Sequence, residues 1–235
     1  FSAIVFAKDQ VGLKNLYKLI SKSRMENLAN EGKTPISLLK QYREGLLVGS
    51  GGHGGLLFNY LLNGYPQSKV DSVMELFDFL QVEPLEIFAD EVNNGKIRSF
   101  DQVKEINTRI INLAKENGKL AVATGGVRYL KPSDYILRNI LHKGQYFRYH
   151  ENRPLYYLRT TKEMLDGFSY LDRNLAEEIV IKNPKLIAEQ IEDIRPIPPG
   201  TFPPKIEGSD EKLRDACFTK AKSIYGDPLP QIVED

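Results

Sequence analysis

Apolar residues in this chain fall into short continuous runs, separated by longer stretches with helical spacing. "SAIVFAKD", "GLLVGSG", "FLQVEP", "KLAVATGG" and "PLYYLRTT" read as strands. Between them, "VGLKNLYKLISKSRMENLA" places Leu13, Leu16, Tyr17 and Ile20 on one helical face. "KTPISLLKQYR" predicts a short helix with Thr34 as N-cap and Pro35 at its first position. "GLLFNYLLNG" predicts one closed by Gly64. "PQSKVDSVMELFDFL" predicts a longer helix with Val70, Val73, Phe77 and Leu80 on one side.

Ser99 and Gln102 form a capping-box pattern ahead of a helix with Val103, Ile106, Ile110 and Leu113 inward, ending at Gly118. "PSDYILRNILHKG" is helical from near Ser133, and Thr160 with Glu163 opens another helix. "LAEEIVIKNPKLIAEQI" reads as two helical segments meeting at Asn183-Pro184. This alternation of strands and helices to about residue 195 predicts a β/α architecture with a largely parallel sheet or barrel. The pattern then changes. "RPIPPGTFPPKIEG" holds five of the chain's 13 prolines and predicts an extended linker. A helix over "SDEKLRDACFTKAKSIYG" follows.

Composition narrows the classes. With 235 residues, 41% hydrophobic and 27% charged, the chain has the makeup of a soluble globular protein. A formal net charge of +1 gives no footprint of an autonomous nucleic-acid binder. Cys217 is the single cysteine, so no disulfide forms within the chain, which points to a reducing, cytoplasmic setting. No apolar run is long enough for a membrane helix, so no membrane partner is expected. The chain opens on "FSAIVFA" without an initiating Met, which reads as a fragment of a longer protein.

Two glycine-rich turns follow strands, where α/β proteins place ligands. "GSGGHGG", Gly49 to Gly55, could cradle a phosphate or be a flexible turn. It lacks the Lys-Ser/Thr of a nucleotide loop. "TGGVRYL" offers Gly125, Gly126 and Arg128 either to an oxyanion or as a plain turn with Arg128 solvated or ion-paired. His53, His142 and His150 form no metal-ligand spacing and read as surface groups. No nucleophile elbow is present, and Cys217 reads as a packing residue. "EPLEIFADE", with Glu83, Glu86, Asp90 and Glu91, shows no ligand spacing. "YFRYHENRPLYYLR" mixes Arg148 and Arg153 with aromatics, as a single-strand binding surface does, but an alternating strand explains it as well.

Several phrases together resemble the PolC-type DNA polymerase III alpha subunit: "FAKDQVGLKNLYKLIS", "YREGLLVGSG", "VATGGVRYLKPSD", "YLRTTKEML", "PKIEGSDEKLR" and "IYGDPLPQIVE". They occur in that family's order and extend across nearly the whole chain. The resemblance implies a partial, distorted β/α barrel over residues 1–195, the back half of a PHP domain beginning just after an inserted 3'-5' proofreading exonuclease. It further implies a proline-rich linker over 196–208 and a helical tail over 209–235 that starts the polymerase core. The parent would be a DNA-directed DNA polymerase using Mg²⁺. Its expected partners are the rest of its own chain including the exonuclease, DNA, a sliding clamp and other replisome proteins.

In that family a Cys, an Asp and a His of this region hold PHP metals. The corresponding positions here are Gly52, Gly126 and Arg128. Glycine offers no donor, and a guanidinium has no free lone pair. The resemblance therefore implies a scaffold with no metal, no cofactor of its own and no catalytic residues, whose vestigial pocket keeps His53 and Arg128. Arg128 is expected to supply positive charge among the pocket's acidic groups. The alternatives are a standalone metal-dependent phosphoesterase, or a single-stranded nucleic-acid binding module using Arg148 and Arg153.

Overall fold

Strand β3 (Phe79–Val82) is buried on both faces, and the fold is arranged around it. A computed structural model describes residues 1–26, 33–144 and 154–234. Residues 1–194 and 195–235 form two compact units.

In the first unit the strands are β1 (Ile4–Ala7), β2 (Leu46–Gly49), β3 and β4 (Leu120–Ala123). They lie in the order β1-β2-β3-β4 in one open sheet rather than a closed barrel. β2, β3 and β4 are parallel, whereas β1 runs antiparallel to β2 with Ile4 opposite Gly49. Helices supply the long crossovers that parallel strands require. α1 (Gln10–Glu26) and α2 (Ile36–Gln41) lie between β1 and β2. α3 (Leu56–Leu62) and α4 (Gln67–Met74) lead into β3, and α5 (Ala89–Asn93) and α6 (Phe100–Glu116) lead into β4.

Alternating side chains divide the strands between two clusters. Val48, Leu80, Val82, Ala121 and Ala123 join the large core with Val103, Ile110 and Leu113 of α6. Leu47, Phe79 and Val122 face the other way and meet Ile187. Burial on both faces explains why these strands read as continuous apolar runs.

α6 forms over the residues its periodicity marks, and the Ser99 hydroxyl accepts the Gln102 N–H at 3.3 Å. The capping box is not reciprocal: the Gln102 side chain accepts the Arg98 N–H instead, at 2.9 Å. α2 starts one residue later than expected. Pro35 is its N-cap, and the Thr34 hydroxyl pairs with that of Ser23 at 2.8 Å. α4 stops at Met74, so Phe77 and Leu80 are not helical. Asp78 ends that run: its carboxylate accepts the Val48 N–H at 2.6 Å and the Arg43 guanidinium at 2.7 Å, pinning the chain to β2.

The inward face of α1 is rotated from the expected one. Gly12, Leu19 and Ser23 are buried, while Tyr17 and Ile20 are exposed. Gly12 sets this rotation, because a Cβ there would lie 1.9 Å from the Gly45 carbonyl oxygen.

Beyond β4 come α7 (Tyr135–Gly144), α8 (Thr161–Asp166) and α9 (Arg173–Glu177). Then follow a π-helical turn over Glu178–Lys182 and α10 (Asn183–Ala188). Thr160 and Glu163 form the expected capping box of α8. The π turn lies directly before Asn183-Pro184, where proline supplies no N–H to the ladder. Asn183 is buried and donates to the Ala121 carbonyl at 2.8 Å, fastening α10 to β4.

The strand expected over "PLYYLRTT" does not form. Only a bridge between Tyr129 and Tyr157 is made, and the Tyr129 hydroxyl accepts the N–H groups of Leu155 and Tyr156 in place of a ladder. In the second unit, residues 195–208 carry neither helix nor strand. α11 (Ser209–Tyr225), followed by Gly226 at φ 90°, and α12 (Gln231–Glu234) complete it.

Candidate functional site

The candidate site lies where β2, β3 and β4 end, and Glu83 is at its centre. Glu83 immediately follows β3 and is only 5% exposed. A buried carboxylate needs donors. His53 provides two, since its backbone N–H and its ring Nδ1 both meet Glu83 Oε2 at 2.7 Å.

The glycine turn after β2 is built around that carboxylate. A Cβ on Gly52 would lie 2.6 Å from Glu83 Oε2, and Gly52 holds φ at 57°. Gly51, at φ 82°, lies so close to Ser2 that its own Cβ would be 2.1 Å from that carbonyl oxygen. Its N–H donates to the buried Gln81 side chain at 2.7 Å, and Gln81 N–H donates to the Ser50 hydroxyl at 2.8 Å. "GSGGHGG" is thus a close-packed turn, with backbone and carboxylate where side chains would be, rather than the flexible turn the sequence suggested.

From β4, Gly126 at φ 58° approaches the other carboxylate oxygen; a Cβ there would be 3.5 Å from Glu83 Oε1. Gly52 and Gly126 therefore flank one buried carboxylate. Asn107 of α6 holds this segment from below, donating to the Glu83 carbonyl at 3.0 Å and to the Tyr170 hydroxyl at 2.9 Å. The His53 ring meets Phe88 edge-on at 5.8 Å, and Phe88 stacks on Phe58.

The hydrogen bond to Glu83 raises the His53 pKa above its ordinary value of 6.5. Burial acts against this, and the negative charges of Glu83 and Glu91 add to it. His53 is therefore a half-buried partner of Glu83 rather than the plain surface histidine that its spacing suggested.

The side chain that meets Glu83 is His53, while Arg128, the residue expected to bring positive charge to the pocket's acidic groups, lines a separate cleft. After Gly126 the backbone turns to Tyr156, whose carbonyl accepts the Arg128 N–H at 2.7 Å. This carries the exposed Arg128 into an open cleft with Tyr129, Asp134, Leu137 and His142. Cys217 is exposed on α11, so the packing role expected for it is not seen. Arg148, Arg153 and His150, and with them most of the proposed single-strand surface, lie outside the described residues.

Metal chemistry fits poorly here. Among the described residues no three or more His, Cys, Asp or Glu side chains converge as a ligand set. His53 Nδ1 and Glu83 Oε2 are hydrogen-bonded to each other, so a metal bound through either atom would have to displace that bond.

The model of the PHP domain matches residues 1–120. The chain belongs to the PHP domain family. It is also similar to proteins named DNA polymerase III PolC-type. The identity is 43% over 235 residues with that of Caldanaerobacter subterraneus subsp. tengcongensis, covering 100% of this chain and 17% of the relative. It is 37% over 231 residues with that of Clostridium perfringens, covering 98% and 16%. It is 38% over 237 residues with that of Bacillus subtilis, covering 100% and 16%. The chain thus spans about one sixth of the length of the curated relatives it matches. No helix among its described residues is long and apolar enough to cross a membrane.

The buried carboxylate at the centre of this site belongs to a residue that sequence reasoning left in an acidic run. The one available signal was position: Glu83 directly follows a buried strand, at the carboxyl end where α/β folds place their sites.

Proposed function

We propose that this chain is a PHP region of a PolC-type replicative DNA polymerase and serves there as a metal-free structural scaffold. The carrying observation is the Glu83–His53 pair enclosed by Gly52 and Gly126. A carboxylate already hydrogen-bonded to an imidazole, with no donor side chains at the two flanking glycines, offers a divalent cation few ligands. Similarity to PolC-type polymerases across nearly the whole of this chain supports the parent assignment.

In this reading the parent performs template-directed DNA synthesis in the cytoplasm with Mg²⁺ held by residues elsewhere. The region supports the polymerase core and an inserted 3'-5' exonuclease, while DNA, the sliding clamp and other replisome proteins engage the parent. Residues 196–208 connect this region to the start of the core at 209–235. A phosphodiesterase assay on the full-length polypeptide, with its exonuclease inactivated, tests the scaffold role. No Mn²⁺-dependent hydrolysis of a model phosphodiester is expected. Hydrolysis that disappears in His53→Ala would contradict it and favour the phosphoesterase reading.

A further inference from the structure

α7 presents a paired row of large aliphatic side chains to solvent. Ile136, Leu137, Ile140 and Leu141 are 52%, 60%, 62% and 65% exposed, and none of the ten residues of α7 is buried. Spacings of one, four and five place these four on one face. A helix this short is marginal in water and normally gains its stability from packing of such a face.

The surroundings of this face are basic. Arg128 and Lys131 are exposed on the preceding turn, and Arg138, His142 and Lys143 lie on α7 itself. Asp134, the acid among the described residues lining this cleft, caps its own turn: its carboxylate accepts the Lys131 N–H at 2.9 Å and the Ser133 hydroxyl lies 3.3 Å from it. A second copy of α7 would bring like charges together, which disfavours self-association. A nucleic acid would make little use of four bare aliphatics, since single strands are held by aromatic stacking. Leu137 and Leu141 line one open cleft with Arg128 and Tyr129, so an occupant of that cleft meets apolar and basic groups side by side, as the face of an amphipathic acidic helix would.

We infer that α7 is a docking face for an acidic amphipathic helix from the same, longer polypeptide. This rests on the reading of the chain as a polymerase region. Its relatives carry more than four fifths of their length outside the matched part, so such a helix would be present at high effective concentration. Its apolar side would cover Leu137 and Leu141, and its carboxylates would meet Arg128 and Lys131.

The test uses the full-length protein in dilute solution, with photoreactive benzoylphenylalanine replacing Leu137 or Leu141 in separate variants, and mass spectrometry of the products. The expected product is a link within one polypeptide to a net-acidic peptide outside residues 1–235. In parallel, Arg128→Glu/Lys131→Glu should speed amide exchange in α7 by about tenfold, as loss of a local packing partner does, with Arg128→Lys leaving it unchanged. Links to added single-stranded DNA, to a second copy or to another protein would overturn the inference, as would no link at either site together with rapid exchange throughout α7. Any of these leaves the scaffold reading standing, and retained metal would sink that reading without touching this one.

Discussion

One carboxylate oxygen of Glu83 accepts both the backbone N–H and the ring Nδ1 of His53, each at 2.7 Å. The pair closes the ends of β2 and β3 onto each other. It also fills the space that Gly52 and Gly126 leave empty.

Removing the carboxylate strands its donors. Glu83→Ala leaves the His53 backbone N–H and ring without their partner in a part-buried site, and should cost about 1 kcal/mol or somewhat more. Denaturant unfolding compared with the parent sequence measures it. A change within error would mean that the pair does not hold the turn.

The two glycines should differ in sensitivity. Gly52→Ala meets both a positive φ and the Glu83 carboxylate at 2.6 Å, whereas Gly126→Ala meets the positive φ and an ordinary contact at 3.5 Å. The φ term alone is about 1–2 kcal/mol, so Gly126→Ala should lose about that much and Gly52→Ala clearly more. Thermal unfolding of the two variants ranks them, and the reverse order would contradict the geometry.

Stability should depend on His53 ionisation. Its folded pKa is raised, so the ion pair contributes fully below the ordinary value of 6.5. That contribution fades as pH rises through the higher folded value. The melting temperature of the parent should therefore fall more steeply than that of His53→Gln as pH rises from 6 to 9. Parallel curves would show that the imidazolium is not what Glu83 binds.

Asn183→Ala should loosen α10 from β4. Its side chain is buried and bonded to the Ala121 carbonyl, and an orphaned buried acceptor costs about 1–3 kcal/mol. Faster amide exchange confined to α10 and β4 is the expected signature.

Much of the scaffold was legible where local signals agreed. α6 shows periodicity, cap and closing glycine all pointing the same way, and its four marked positions are buried. The failures share one cause, which is a contact distant in sequence. The face of α1 is set by Gly12 against Gly45, which no helical period reveals. "PLYYLRTT" has strand-like residues, but the Tyr129 hydroxyl takes the N–H groups of Leu155 and Tyr156, and the Arg128–Tyr129 backbone meets the Tyr156 carbonyl and the Leu158 N–H. For the site, composition exposed the glycine turns but not their purpose. The resemblance marked Gly52, Gly126 and Arg128 as lost donor positions. It did not show that Glu83 would occupy the space between the glycines with His53 as its partner, because burial of a carboxylate is a property of the fold.

The central claim is most directly tested by metal content. Full-length protein, dialysed and analysed by inductively coupled plasma mass spectrometry, is expected to hold the same zinc, manganese and iron as its His53→Ala/Glu83→Ala variant. A full equivalent of any of these metals that survives dialysis in the parent and is lost in the double variant would show that the Glu83–His53 pocket is a metal centre after all.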